Sequence, residues 1–152
     1  MMHLKKLLIL ALSFCLIFSS TTAYCSNNKN KNILSDSYDS LLNIQKQINL
    51  ISRNGYINNV NGQPNGTLLS QLNIFSSQLN GIKNDLQTAK SKNPTDPNLE
   101  SLITISDYLS YIYGKTYEFL SSSDPAIQYR ALEATFLANS LVNQVFLYAN
   151  IK

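Results

Sequence analysis

The sequence predicts an all-α protein: an up-down-up-down four-helix bundle with helices at about 35–52, 67–92, 97–122 and 124–151. Three observations lead there. Apolar residues recur at spacings of three and four through four long stretches, the repeat that lines up one face of an α-helix. Start and stop residues bracket those stretches, including the pair Asp-Pro twice, at Asp96-Pro97 and Asp124-Pro125. No stretch alternates apolar and polar residues convincingly at the period of a strand. Ahead of the bundle, residues 1–23 read as a secretory signal peptide and residues 24–34 as a disordered polar tether, leaving 35–152 as the helical domain.

The signal reading rests on order. Lys5 and Lys6 give a positive start, an apolar run follows from Leu7 to Phe18, and Thr21 and Ala23 are small residues suited to cleavage after Ala23. The run is short for a membrane span and is soon followed by Asn and Lys. Of the 152 residues, twelve are Lys or Arg and nine Asp or Glu; without Lys5 and Lys6 the balance is ten against nine. A near-neutral chain with no basic cluster does not present a nucleic-acid footprint. Cys15 lies in the apolar run, so Cys25 is the one thiol of the processed chain and an intramolecular disulfide is excluded. Three readings of Cys25 stay open: a lipidated N-terminus, an intermolecular disulfide, or a chance residue. The stretch from Thr22 to Ser26 resembles a bacterial lipoprotein processing box in part. Such boxes place a small residue directly before the cysteine and an aliphatic one three positions before it, where this chain has Tyr24 and Thr22.

The first helix begins at Ser35 or Asp36, both good N-caps, and carries Leu41, Ile44, Ile48 and Ile51 on one stripe, extended by Leu34 and Tyr38. Asn54-Gly55 reads as its stop. Residues 53–66 then read as a long irregular connection, with Asn-Gly at 54–55, 61–62 and 65–66 and Pro64 among them. A short hairpin through Tyr56, Ile57 and Val60 fits there only weakly, and the segment is a candidate contact site. No acidic residue occurs between Asp39 and Asp85, which excludes a calcium loop.

The second helix has the cleanest repeat, Leu68, Leu72, Phe75, Leu79, Ile82 and Leu86, with Ser, Gln and Asn opposite, and Asn93-Pro94 ends it. Asp96 caps the third, Pro97 takes its first position, and Leu102, Ile105, Leu109, Ile112, Thr116 and Phe119 form its stripe. Tyr111 projects away from that stripe, among Glu100, Asp107 and Glu118, and is a candidate contact residue. Three residues between Ser121 and Pro125 force the third and fourth helices into a hairpin.

The fourth helix is apolar on more than one face. Ile127, Ala131, Ala134, Ala138, Leu141, Val145 and Tyr148 make one stripe, while Tyr129, Leu132, Phe136 and Leu147 project to nearly the opposite side. Either this helix is the most central, wedged among the other three, or Leu132, Phe136 and Leu147 form an oligomer or partner surface. Three apolar stripes on the other helices are available to cover it, so burial within the chain is the expectation. Glu133, Asn139, Ser140, Asn143 and Gln144 argue against a membrane span.

The chemistry is read by exclusion. The one histidine, His3, belongs to the signal, so a histidine base, triad or metal ligand is not expected, nor is a cofactor. Asp107 and Glu118 share the outer face of the third helix and read as solvated carboxylates, not as a facing catalytic pair. The glycines form no phosphate-binding loop. The expectation is a secreted or surface-tethered bacterial helical protein that acts by contact with another macromolecule or a second copy of itself, without catalysis. The alternative is a structural envelope protein held in the membrane only through its N-terminus, by lipid on Cys25 or by an uncleaved signal. Facing alanines in the fourth helix also admit a small-molecule cavity lined by Tyr or Phe.

Overall fold

The computed structural model describes residues 33–149. All the secondary structure in that span is helical: α1 (Ile33–Val60), α2 (Gly66–Lys92), α3 (Pro97–Ser121) and α4 (Pro125–Tyr148). The expected signal segment, most of the expected tether and Cys25 lie outside the described residues, as do the last residues assigned to the fourth helix.

The largest departure from expectation is in α1. It does not stop at Asn54-Gly55 but continues to Val60, which turns the first half of the expected loop, and the possible hairpin within it, into helix. Its buried face runs on through Ile51 and Ser52 to Gly55. At Gly55 the absence of a side chain lets α1 touch α3 directly, because a Cβ would run into Leu120 and press on Phe119. The glycine is therefore a packing residue. The stop is the next Asn-Gly: Gly62 has φ 65°, Gly62 N donates to Asn59 O at 3.2 Å, and Gln63 N donates to Asn58 O at 2.8 Å. These two bonds make a Schellman ending, which needs a left-handed residue just beyond the helix. The remaining connection is held by asparagines, with Asn58 Nδ2 donating to Asn65 Oδ1 at 3.1 Å and Asn65 Nδ2 to Asn59 Oδ1 at 2.7 Å.

The starts of α3 and α4 follow the expected chemistry. Asp96 accepts from Asn98 N at 2.9 Å and Asp124 from Ala126 N at 2.8 Å, each with proline at the first helical position. Each such cap satisfies a backbone donor that the helix itself leaves unpaired.

The core joins Leu41, Ile44 and Ile48 of α1, Leu72, Leu79 and Leu86 of α2, and the whole expected stripe of α3. The central helix is α3, not α4. It packs against each of the other three, whereas α4 packs chiefly on α3. Cross-contacts give the directions. Asn73, Lys83 and Lys90 of α2 bond Tyr113, Asp107 and Glu100 of α3 in descending order, so α2 and α3 are antiparallel. Ser52 meets Thr116 and Gly55 meets Leu120, so α1 and α3 run parallel. Tyr38 and Gln45 of α1 reach Phe146 and Asn139 of α4, an antiparallel pair joined by an edge-on ring contact with centroids 5.1 Å apart.

The face that α4 turns inward also differs from expectation. Ala131, Thr135, Ala138, Asn139, Val142 and Phe146 are buried. Of the expected stripe only Ala131 and Ala138 are fully inside, while Ile127, Leu141 and Tyr148 are exposed. Polar residues are tolerated in the core because their bonds are made locally. Thr135 Oγ1 donates to Ala131 O at 2.9 Å, and Asn139 Nδ2 donates to Thr135 O at 3.1 Å. A buried polar group that keeps its hydrogen bond costs little.

Candidate contact surface on α3 and α4

The inward rotation of α4 brings its other apolar residues to the surface. Phe136 is 64% exposed, Leu137 66% and Leu147 84%, and Tyr129 and Tyr148 are exposed as well. The expectation that Phe136 and Leu147 are covered within the chain is overturned among the described residues. Leu132 alone is half-buried, packed on the edge of the core. Phe136 and Leu147 are eleven residues apart, which brings them back to within about 20° of each other around a helix. Isolated apolar residues are ordinary on a surface, but several on one helix make a patch.

A groove of about 530 Å³ lies beside this face, between α3 and α4. Thr104, Asp107, Tyr108 and Tyr111 form one wall, and Ala134, Leu137, Ala138 and Leu141 the other. The two alanines open it by letting α4 approach α3 without filling the space between the tyrosines. The charges at its rim are already engaged: Lys83 Nζ bonds Asp107 Oδ1 at 2.5 Å, and Lys115 Nζ bonds Glu118 Oε2 at 2.6 Å while sitting 6.0 Å from the centre of the Tyr111 ring. The bond and charge of Glu118 raise the Lys115 pKa above the usual lysine value. What the groove offers is apolar wall and tyrosine hydroxyl.

The four residues singled out from the sequence thus fall into two groups. Tyr111 stands in the groove with Leu137 and Leu141, while Leu132, Phe136 and Leu147 occupy the flank of α4 nearer α1. Leu137 is the residue that the sequence reading missed. It belongs to neither apolar stripe of α4, and a large apolar residue outside every stripe is itself the signal that would have found it. Among the described residues no group of His, Cys, Asp and Glu could hold a metal ion. No described helix is long and apolar enough to cross a membrane. Comparison with family models, with curated proteins and with solved structures finds no match.

Proposed function

We propose that this chain is an exported protein, cleaved after Ala23, whose up-down-up-down four-helix bundle acts by binding another macromolecule and performs no catalysis. The short connections and the antiparallel and parallel cross-contacts support the bundle. The observation that carries the contact reading is the outer face of α4, where Phe136, Leu137 and Leu147 stand largely in solvent. Large apolar side chains gathered on the exposed side of one helix mark an interaction site more often than ones scattered singly do. Photo-crosslinking in the producing cell tests it. A photoreactive phenylalanine analogue at position 136 gives a macromolecular adduct, and one at exposed Asn80 on α2 gives none. Absence of any adduct at 136 removes the reading.

A membrane-held form is the second reading, supported by the partial lipoprotein-box resemblance around Cys25. Attachment then runs through the N-terminal segment, since no described helix is suited to a span. Labelling with palmitate tests it: the wild type takes up label and Cys25→Ala does not.

A further inference from the structure

We propose that Asn61 is a site of spontaneous covalent modification, deamidation through a succinimide, and that the fold shields the other three Asn-Gly pairs of the chain. The pairs stand at 54–55, 61–62, 65–66 and 80–81. In each, the glycine nitrogen is positioned in sequence to attack the asparagine Cγ, with no Cβ of its own to obstruct the approach. The N–Cγ bond forms, the Cγ–Nδ2 bond breaks, and the glycine proton leaves with the side-chain amide as ammonia. Water then opens the five-membered ring at either carbonyl, giving aspartate or isoaspartate. Nothing is oxidised or reduced, and water is the only co-reactant.

The reaction needs a released backbone nitrogen, an asparagine side chain free to swing, and room at the glycine. Asn54-Gly55 lies inside α1, where the helix ladder occupies the amide and Leu120 and Phe119 fill the space over Gly55. Asn80-Gly81 lies inside α2. It is exposed, with open space beside the glycine, so the helix ladder alone holds it. Asn65-Gly66 is the converse case. Gly66 is the first residue of α2, so its N–H is one that a helix leaves without an internal partner. Here the side chain is what is held: Asn65 Oδ1 accepts from Asn58 Nδ2, and Asn65 Nδ2 donates to Asn59 Oδ1.

Asn61-Gly62 meets all the conditions. Asn61 is exposed in the turn beyond α1, and its side chain has no hydrogen-bond partner among the described residues. Nothing lies within 4 Å of where a Gly62 Cβ would stand. The restraint on the nucleophile is the 3.2 Å bond from Gly62 N to Asn59 O, and a bond in the last turn of a helix opens at little cost. The product changes the connection that contains it. Isoaspartate adds a carbon to the main chain between positions 61 and 62. Either product sets a carboxylate beside the last carbonyls of α1, the negative end of the helix dipole.

The experiment incubates the full chain, as the cell processes it, at mildly alkaline pH and follows each pair by peptide mapping with mass spectrometry. Asn61 converts roughly tenfold or more faster than Asn54, Asn65 and Asn80, whose reaction waits on an opening of the fold. In urea the four rates converge, because each asparagine then has the same glycine neighbour and no shield. Asn58→Ala/Asn59→Ala releases Asn65 and raises its rate, while Asn80 stays slow. Unchanged far-ultraviolet circular dichroism shows that this variant keeps its helices. Asn65 or Asn80 converting as fast as Asn61 in the folded wild type overturns the proposal. So does an Asn61 that leads by the same margin in urea, since its preference then comes from neighbouring sequence. An Asn65 indifferent to the double variant overturns the asparagine clasp as its shield.

Discussion

Gly55 of α1 lies directly against Leu120 of α3, with no room for a single added carbon between them. This contact sets how closely the two helices approach at that end of the core, where Phe119 also presses on the glycine. Gly55→Ala gains about 1 kcal/mol of helix propensity but overpacks a filled site, a change that costs about 1–3 kcal/mol. The net expectation is destabilisation, read as a lower midpoint in urea. Leu120→Ala added to Gly55→Ala relieves the clash, so the double variant is less destabilised than the sum of the two singles. Gly81→Ala and Gly114→Ala are the controls: nothing lies near either position, and each is expected to stabilise by about 0.5–1 kcal/mol.

Ser52 and Thr116 form a buried hydroxyl pair 3.1 Å apart between α1 and α3. Ser52 already donates to Ile48 O at 3.0 Å, so Thr116 must be the donor in the pair. The two truncations are then unequal. Thr116→Val leaves the Ser52 proton satisfied and costs about 1 kcal/mol. Ser52→Ala strands a donor in a fully buried site and costs about 1–3 kcal/mol. The double variant Ser52→Ala/Thr116→Val recovers most of the loss, and a thermodynamic cycle from denaturant melts measures it. Equal single costs would show Thr116 turning to a carbonyl of its own helix instead.

Three of the four helices were legible because their cores are written in leucine and isoleucine. Every stripe residue assigned to α3 is buried, and both Asp-Pro starts cap as expected. The reading of α4 failed for a definite reason. Its inward face includes Thr135 and Asn139, whose polarity sent the apolar count to a neighbouring stripe through Ile127, Leu141 and Tyr148. Bonds back to Ala131 O and Thr135 O within α4, and the Gln45 contact to Asn139, let these polar residues lie inside. The ending of α1 failed differently. Two Asn-Gly pairs offer the same local stop signal, and the choice between them is made by Leu120, about 65 residues away in sequence. The contact surface was half legible. Phe136 and Leu147 were marked by surplus apolarity, but Leu137 and the groove beside Tyr111 depend on the rotation of α4.

Gln45 fixes how α1 lies along α4. It is buried, and its Nε2 donates to Asn143 Oδ1 at 2.9 Å and to Asn139 Oδ1 at 3.3 Å. Gln45→Leu leaves Asn143 able to turn to water, but the Asn139 oxygen stays in the core without a donor. The expected cost is about 1–3 kcal/mol, measured by chemical denaturation. Replacing both groups, Gln45→Leu/Asn139→Leu, returns much of that stability. Amide exchange in α4 is then expected to quicken, because the polar contact that aligns the two helices has gone. Unchanged exchange in the double variant would mean that Tyr38 and Phe146 alone hold the alignment.

Lys115 and Glu118 give a prediction in pH. The Glu118 hydrogen bond, and then its charge, hold the Lys115 ammonium protonated to a pH above the ordinary lysine range. A raised value in the folded state means that the interaction contributes fully below the unfolded lysine pKa and is lost as pH rises through the folded one. Because the pair stands in solvent, its effect on stability is small and screened by salt. The titration itself is the better readout. Carbon-13 shifts of the Lys115 side chain are expected to titrate later than those of a free lysine, and Glu118→Gln is expected to bring the midpoint down. The same variant loosens the ammonium that sits near the Tyr111 ring, so the Tyr111 ring resonances are expected to move with it. A Lys115 titration that ignores Glu118→Gln would place the cause elsewhere, and Tyr111 would then have no charge held at the mouth of its groove.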